Sequence, residues 1–595
     1  MSDLNLGVIG NCQISALIDD KATIVWSCLP QFDSDPTFCR LLQDGDKSDQ
    51  PGYFEIEILD FSRSKQEYLT NTAILVTTLY DSNGGAIRIT DFAPRYEYVG
   101  RTFTPVMILR RIEPLHGAPR IRIRLEPARN YGAEACDFTH GSNHIRYRCN
   151  DVNCRLTTNA SLTHIIDQNA FVLDRELHLI LGPDETIPEA CSDAFYNHFR
   201  ATRKYWQVFS RNLSIPFEWQ DAVIRAAITL KLCTFEDTGA VVAALTTSIP
   251  EATDSGRNWD YRFCWLRDSY FVVQALNQLG ATTTMERYIG YIMNVVADSC
   301  GEPLKPLYGI SGSSMLTEEI VESLPGYRGM GPVRRGNQAF EQVQHDVYGA
   351  VVLSATQFFF DNRLIKSGTE AEYHRLEVLG EHARSFYDQA DAGLWEYRGR
   401  QRQHTFSSMM CWAACDRLAK IATKLDKADR ADYWRKSADE IRTYIFEGAW
   451  DPEQQSFTES FGRPEMDASL LTMHHLGFLD ADDPKFISTV ECIGKHLLRG
   501  DHMFRYDAPD DFGEPENAFN ICTFWYIDAL ASIGRVEEAR ELFENMLSLR
   551  NPLGLLSEDI EQSTGELWGN FPQTYSMAGI INAAVRLSRP WSEAL

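Results

Sequence analysis

Residues 258–268 read Asn-Trp-Asp-Tyr-Arg-Phe-Cys-Trp-Leu-Arg-Asp, and they end directly before an apolar run of helical period that starts near Ser269. Four aromatic side chains are interleaved here with two acids and two arginines. Sugars present flat CH faces that aromatic rings cover, and hydroxyls that need both donors and acceptors. The same pattern is also typical of buried core aromatics with their charges in solvent, so the segment alone allows both a sugar pocket and a plain core.

The apolar run after this segment is one of twelve predicted helices, near residues 217–233, 268–279, 283–299, 345–360, 371–387, 407–423, 427–445, 466–475, 485–497, 517–533, 535–548 and 574–587. Links from even- to odd-numbered helices are short, as at residues 280–282 and 424–426, and links from odd to even are long. Short links make neighbouring helices antiparallel, so all long links emerge at one end. Six such hairpins closing into a ring predict an (α/α)6 barrel over residues 216–595.

Residues 1–190 predict an antiparallel β domain. Apolar or alternating runs at 54–59, 74–80, 86–92, 121–125 and 178–181 have the length of strands, and residues 81–85 (DSNGG) form a hairpin turn. Arginine and aliphatic residues alternate strictly from 120 to 125, so one face is wet and one packs, as in a sandwich. Residues 191–215 are amphipathic and are interpreted as a helical linker that packs the two domains together.

The composition limits the partners and the compartment. The formal net charge of −26 argues against nucleic acid or an anionic membrane, because both attract basic surfaces, and a neutral substrate fits better. The N-terminus lacks the pattern of a secretory signal, and no run has the length of a membrane span. The 14 cysteines show no paired spacing and no histidine partners. We therefore expect reduced cysteines in a cytoplasmic protein, with no metal and no cofactor.

The long loops of the predicted barrel carry acids and arginines to its mouth. The first loop ends with Arg267 and Asp268, the third contains Glu396 between two aromatic side chains, the fifth contains Arg505 and the sixth Glu558. Two carboxylic acids across a glycosidic bond are the minimum requirement for its hydrolysis, because one protonates the leaving oxygen and the other activates water or attacks. The coincidence of these groups at one end favours a glycoside hydrolase.

The second long loop, residues 301–344, is rich in glycine but is not a dinucleotide-binding motif. No strand precedes residues 326–331, and the third glycine of the motif is misplaced. We interpret the loop as a rim or lid of the mouth. Asp346 opens the next helix and is interpreted as a helix cap.

Several motifs in the same order make the sequence similar to glycoside hydrolase family 15, which contains glucoamylases and bacterial α,α-trehalases. Residues 24–34 (IVWSCLPQFDS) resemble the trehalase-type N-terminal domain of that family. The segments 258–268, 326–336, 346–349, 393–396 and 554–573 resemble its later blocks. The resemblance implies a β supersandwich followed by an (α/α)6 barrel, in agreement with the helix count.

The resemblance also implies roles for residues of the loops. Glu396 corresponds to the general acid and Glu558 to the general base, and the family inverts the anomeric configuration. Arg267 and Asp268 resemble the pair that holds the terminal glucose. The remaining substrate-binding residues implied by position are the pocket walls and the leaving-group side, Trp265, Leu394, Trp395, Tyr397 and Arg505. For inversion the two carboxyl groups should lie about 6.5–9.5 Å apart.

The expected activity is that of an exo-acting, inverting α-glucoside hydrolase that releases β-glucose from the non-reducing end. Trehalose is the first choice of substrate because of the N-terminal domain, and a glucoamylase or a malto- or isomalto-oligosaccharide glucosidase is the alternative. A glucoside phosphorylase would need an anion pocket in place of the base, and a non-catalytic sugar sensor would not need both carboxylates. The oligomeric state is left open by the sequence.

Overall fold

The computed structural model describes residues 3–43, 50–149 and 152–594. Its N-terminal part is built from β-strands: β1 (Gly7–Gly10), β2 (Ser15–Ile18), β3 (Ile24–Cys28), β4 (Pro36–Phe38), β5 (Tyr53–Ile58), β6 (Phe61–Tyr68), β7 (Leu75–Asp81), β8 (Ala86–Phe92), β9 (Tyr96–Tyr98), β10 (Arg101–Phe103), β11 (Ile108–His116), β12 (Arg120–Glu126), β13 (Ala128–Arg129), β14 (Glu134–Ala135), β15 (Asp137–His140), β16 (His144–Arg148), β17 (Asn153–Thr158), β18 (Phe171–Val172) and β19 (Leu177–Pro183). One sheet has the order β1-β2-β3-β5-β12-β18, with β4 on β3. The other has the order β15-β16-β17-β19-β11-β8-β7-β6.

The strand β12 shows why the sequence forms a sandwich. Ile121 and Ile123 are fully buried in a core that also contains side chains of the second sheet. On the other face, Arg122 donates to Glu57 of the adjacent strand at 3.0 Å. The register pairs Ile121 with Ile58 and Ile123 with Ile56, so aliphatic side chains meet on one face only. The predicted alternation of wet and packed faces is confirmed.

The helices follow the short α1 (Leu162–Ile166): α2 (Cys191–Arg211), α3 (Gln220–Leu232), α4 (Leu266–Gln278), α5 (Thr282–Asp298), α6 (Asp346–Phe360), α7 (Glu370–Phe386), α8 (Thr405–Lys424), α9 (Ala428–Gly448), α10 (Met473–Leu476), α11 (Pro484–Leu497), α12 (Asn520–Ser532), α13 (Val536–Ser548), α14 (Thr574–Leu587) and α15 (Trp591–Ala594). A 3₁₀ segment, Ala468–Thr472, precedes α10. The loops contain paired strands of two residues, Cys264–Trp265, Leu307–Tyr308, Glu319–Ile320, Arg334–Arg335, Trp450–Asp451, Ser456–Phe457, Leu498–Arg499, His502–Met503, Ala518–Phe519, Asp559–Ile560 and Leu567–Trp568.

Six of these helical segments form a closed inner ring. α4 contacts α6, α6 contacts α8, α8 contacts the 3₁₀ segment before α10, that segment contacts α12, α12 contacts α14, and α14 returns to α4. The outer helices α3, α5, α7, α9, α11 and α13 each pack on a member of the ring. The predicted barrel of six hairpins is therefore confirmed, and the long loops lie where the inner helices begin.

The β domain packs directly on the barrel. Trp26 of β3 is buried, and its indole N–H donates to the carbonyl oxygen of Leu245 at 2.8 Å. Side chains of β1, β2 and β3 belong to the same apolar core as the barrel helices. Across the described part of the chain, no helix combines the length and the apolar content that crossing a bilayer requires.

Candidate active site

A cavity of about 850 Å³ opens at the mouth of the barrel, where the long loops converge. Its size is in the range of pockets that enclose small ligands. The nine residues that the sequence predicts for the site all line this cavity: Trp265, Arg267, Asp268, Leu394, Trp395, Glu396, Tyr397, Arg505 and Glu558. The structure thus brings together residues from loops that are up to about 300 positions apart in the chain.

The segment 258–268 divides into two parts with different surroundings. Asp260 and Arg262 form a buried ion pair at 2.7 Å. Arg262 also donates to the carbonyl oxygen of Ser34 at 2.9 Å and to the hydroxyl of Tyr131 at 3.1 Å, both in the β domain. Tyr261, Trp265 and the two residues after Leu266 line the cavity instead. The two interpretations of the segment, core and pocket, each describe a different set of its side chains.

Glu396 is held from several sides. Its Oε1 accepts the indole N–H of Trp265 at 2.6 Å, an amide N–H of Gln344 at 3.3 Å and a guanidinium N–H of Arg267 at 3.4 Å. Its backbone has φ of 61°, a left-handed conformation that costs a non-glycine residue about 1–3 kcal/mol and is commonest at functional sites. Gln342 donates to the backbone oxygen of Glu396 at 3.0 Å, which supports the strained turn.

Glu558 lies deeper, at 1% exposure. The hydroxyl of Tyr261 donates to its Oε1 at 2.6 Å. Burial raises the pKa of Glu558, the negative charge of Glu251 raises it further, and Tyr261 and Arg505 oppose the shift. Gly569 makes room for this carboxylate, because a Cβ at that position would lie 2.6 Å from Cβ of Glu558. Replacing the glycine would therefore displace Glu558.

Asp559 adds a further acid beside Glu558. Burial, followed by the charge of Glu558, raises its pKa as well. Glu251, Glu558 and Asp559 thus form a group of three neighbouring acids, and Arg505 is the cation that acts on both Glu558 and Asp559. In such a group the negative charge of one acid disfavours ionisation of Glu558 and Asp559.

Arg267 and Asp268 form a second polar group at the start of α4. Arg267 donates to Gln344 at 2.9 Å and to Asp346 at 3.2 Å, and its Nε lies 3.4 Å from Asp268. Burial raises the pKa of Asp268 to about 7. Asp346, which the sequence suggests as a helix cap, turns its carboxylate to Arg267 instead.

A third polar group joins Arg505 to Glu251, with the guanidinium donating at 2.7 Å. The other oxygen of Glu251 accepts the indole N–H of Trp259 at 3.1 Å. Trp395 is fixed similarly, because its indole N–H donates to Asp467 at 2.7 Å. The orientation of the arginine and of the tryptophan therefore depends on carboxylates from other loops.

Five residues of the site were not predicted from the sequence: Glu251, Tyr261, Gln344, Asp346 and Asp467. Tyr261 carried a usable signal, because it belongs to the aromatic segment whose two tryptophans, Trp259 and Trp265, line the cavity. Glu251 and Gln344 stand in loops, and Asp346 and Asp467 stand where helical segments begin; all four acquire their partners only when distant parts of the chain meet.

One aromatic pair relates the two glutamates to each other. The rings of Tyr261 and Trp265 are 5.3 Å apart in an edge-to-face arrangement. The tyrosine binds Glu558, and the tryptophan binds Glu396. The two carboxylates therefore face one cavity from two neighbouring aromatic anchors, on the same end of the barrel.

Comparisons with known proteins cover nearly the whole length of the chain. The family model "Glycosyl hydrolases family 15" matches residues 219–585, and "Trehalase-like, N-terminal" matches residues 5–168. A trehalase of Thermoplasma volcanium is 31% identical over 593 residues, which cover 98% of this chain and 93% of that protein. A trehalase of Mycobacterium tuberculosis is 31% identical over 619 residues, covering 98% of this chain and 89% of that protein.

The fold itself has a counterpart among solved structures. A bacterial glucoamylase, crystallised in complex with acarbose, superposes with a TM-score of 0.70 and covers 99% of this chain and 94% of its own. The identity is 14%, so this likeness concerns the fold alone. A β domain followed by an α-helical barrel is thus a known arrangement.

Proposed function

The chain belongs to glycosyl hydrolase family 15, and on that premise we propose that it is an exo-acting, anomer-inverting α-glucoside hydrolase whose first substrate is α,α-trehalose. Membership of the family makes the protein a glycoside hydrolase. The finer statements, on residues, stereochemistry and substrate, are supported by the geometry of the cavity and by the relatives.

One observation carries the proposal: Glu396 and Glu558 line the same cavity, each anchored by a different member of the Tyr261–Trp265 pair. We assign Glu396 as the general acid, which protonates the glycosidic oxygen. Glu558 is the general base, which takes a proton from the attacking water. Because water attacks the anomeric carbon directly, no covalent intermediate forms and the configuration inverts. The carboxyl groups are predicted to lie about 6.5–9.5 Å apart.

The oxygen that holds the acidic proton follows from the hydrogen bonds. Three N–H groups point at Oε1 of Glu396, and an oxygen that accepts such bonds is poorly suited to carry a proton. Oε2 is therefore the oxygen that we expect to deliver the proton to the leaving group.

Arg267 and Asp268 are proposed to hold the terminal glucose. Both are almost fully buried and lie at the start of an inner helix, where a donor and an acceptor stand side by side. Trp265, Leu394 and Trp395 are proposed as apolar walls for the CH faces of the sugar. A ring enclosed in this way must be the end of a chain, which explains exo action.

The leaving group is proposed to lie toward Arg505 and Tyr397. Arg505 is fixed by Glu251, and Tyr397 follows the acid directly in sequence. Two relatives that align over nearly all of this chain carry the name trehalase, and the N-terminal region matches a trehalase-like model. These matches favour trehalose. The alternative is a glucoamylase or a malto- or isomalto-oligosaccharide glucosidase.

Product anomers test the proposal. Trehalose, maltose, isomaltose and kojibiose are incubated with the protein, and the first products are followed by NMR. Inversion of trehalose gives equal initial amounts of α- and β-glucose, because one unit inverts and the other leaves unchanged. Maltose should give β-glucose from its non-reducing end. Initial α-glucose alone from trehalose would contradict inversion, and no hydrolysis of any of these sugars would overturn the activity.

Fastest turnover of maltose or isomaltose would select the alternative substrate class. The proposed reaction needs no cofactor, since two carboxylic acids and water supply its chemistry. The cytoplasm is the proposed location, because all 14 cysteines are free thiols and ten of them are buried. The proposed domain division is 1–190, 191–215 and 216–595, which follows the last strand of the β domain and the end of α2.

A further inference from the structure

A second large cavity lies where the β domain, the linker helix α2 and the barrel meet, and we call it the junction cavity. It encloses about 1620 Å³ of space connected to solvent. Its walls come from the β9–β10 hairpin, from α2, from the end of α3 with the loop behind it, and from the start of α5. None of the residues assigned to the active site lines it.

Three cations surround one carboxylate in this cavity. Arg95 donates to Glu236 at 2.7 Å, and the ammonium group of Lys231 lies 3.3 Å from the same oxygen. Arg287 contacts the other oxygen of Glu236. Arg95 is 2% exposed and Lys231 is 4% exposed, so both charges are held away from bulk water. One negative charge cannot balance three positive ones.

The charge excess remains when the rest of the wall is counted. Lys204 and Glu97, the other charged residues that line the cavity, cancel each other and leave a net charge of about +2. This is opposite in sign to the chain, whose net charge is −26. Burying unbalanced charge is costly, and burial lowers the pKa of Lys231. A bound anion would remove that cost.

Donors for such an anion are present. Nε of Arg95 is buried and has no hydrogen-bond partner within the described residues. Thr282, Thr283 and Thr284 line the cavity at the N-terminus of α5, a helix of 17 residues whose positive dipole end attracts negative charge. The backbone N–H groups of Thr282 and Thr284 already donate to Gly280 and Ala281. The guanidinium of Arg287, one turn later, is partly exposed.

The wall also has an apolar side. Tyr96, Tyr205 and Phe209 line the cavity, and the ring of Tyr205 lies under the guanidinium of Arg95 at 4.5 Å. Inorganic phosphate alone would leave this surface uncovered in a space of this size. A molecule with both a dianionic group and a ring would pair with the cations and also cover the aromatic side of the cavity.

We propose that the junction cavity is a binding site for a small phosphomonoester that carries a ring, such as a phosphorylated sugar. The phosphate group lies in the cavity beside the Glu236 carboxylate, within reach of Arg95, Lys231 and Arg287, and the ring lies toward Tyr96 and Phe209. A ligand here contacts the β domain, the linker helix and the barrel at once. It therefore stabilises their association, independently of which α-glucoside the enzyme hydrolyses.

Calorimetric titration of the full-length protein with glucose 6-phosphate tests the site. Glucose and inorganic phosphate are titrated separately at the same ionic strength as controls. We expect glucose 6-phosphate to bind more tightly than either. Arg287→Met should weaken this binding about tenfold, the effect of losing one charge-assisted hydrogen bond. Arg535→Met, which removes an arginine paired with Glu538 on the surface, should leave it unchanged.

Two further variants keep the test valid if Arg287→Met does not fold. Lys204 is exposed, so Lys204→Gln should fold and should weaken glucose 6-phosphate binding about threefold, as expected for a rim charge. Glu236→Gln removes the carboxylate that competes with the phosphate group for the three cations. This variant should therefore bind glucose 6-phosphate more tightly. Equal binding by the wild type, Arg287→Met and Lys204→Gln would overturn the proposal, and so would a preference for glucose over its phosphate.

Discussion

Glu396 and Glu558 line one cavity, yet their surroundings are opposite in kind. Glu396 is 22% exposed, and its Oε1 accepts N–H groups from three side chains, one of them a guanidinium. Glu558 is 1% exposed, accepts a tyrosine hydroxyl, and has Glu251 and Asp559 as acidic neighbours. The first carboxylate is surrounded by donors, and the second belongs to a group of acids.

This difference bears on which glutamate does what. Burial and the charge of Glu251 raise the pKa of Glu558, so its protonated form is favoured in the ligand-free protein. A raised pKa suits a general acid, whereas a general base must be ionised. Glu558 as the base must therefore lose its proton before water attacks, and Glu558 as the acid must keep it. The two assignments are distinguished by how the rate of hydrolysis depends on the leaving group, because only the general acid protonates it.

Glu558→Gln should have the largest effect. If Glu558 is the base, kcat should fall about 10³–10⁴-fold with trehalose, because water is no longer activated. α-Glucosyl fluoride, whose leaving group needs no proton, should be hydrolysed equally poorly. Steady-state kinetics with both substrates provide the measurement, and a variant that retains full activity on trehalose would remove Glu558 from the mechanism.

Glu396→Gln should have the next largest effect, and only on one substrate. Trehalose hydrolysis should fall about 10²–10³-fold, since the leaving glucose is no longer protonated. Hydrolysis of α-glucosyl fluoride should stay within about tenfold of the wild type, as that substrate bypasses the acid. Glu341→Gln, on the loop before Gln342 and outside the cavity, is the matched control. Loss with the fluoride in Glu396→Gln but not in Glu558→Gln would exchange the two roles.

Tyr261→Phe should lower kcat/KM about tenfold, the effect of one hydrogen bond to a charged group. The tyrosine hydrogen bond lowers the pKa of Glu558, so its loss raises that pKa. Because the base acts when ionised, kcat/KM rises as pH increases through this pKa. The acid limb of the pH profile should therefore move to higher pH, and an unmoved limb would contradict the link between Tyr261 and the base.

Glu251→Gln should have the smallest effect on the profile, a shift of at most about one pH unit. Removing the negative charge lowers the pKa of Glu558, and Arg505 loses its partner and acts more strongly on Glu558. The acid limb should move to lower pH, opposite to its direction in Tyr261→Phe. Shifts in the same direction for both variants would show that the limb does not report on Glu558.

The fold was predictable because its signals are local. Short links such as residues 280–282 force adjacent helices to be antiparallel, and the strict alternation in β12 places Ile121 and Ile123 on one face. The eighth of the predicted helices shows where this approach weakens. The segment predicted as one helix near 466–475 is a 3₁₀ turn, Ala468–Thr472, followed by the four-residue α10.

The site residues that could be predicted are those whose chemical type and position in a long loop or motif both indicate a role. Nine residues line the cavity as expected, because each stands at the end of a long loop or in a motif similar to the family. Glu251 and Asp346 were not predicted as site residues, since their partners Arg505 and Arg267 lie in other loops. No periodicity marks a residue whose role arises only when two loops meet.

The ion pair of Asp260 with Arg262 limits the modularity of this enzyme. Arg262 reaches Ser34 and Tyr131 of the β domain, and its neighbour in the chain, Tyr261, holds the proposed base. Cutting the chain before the barrel would leave the buried Arg262 without its acceptors in the β domain, one residue away from Tyr261. The barrel therefore cannot be combined freely with other β domains. A β domain that replaces this one must supply hydrogen-bond acceptors for Arg262.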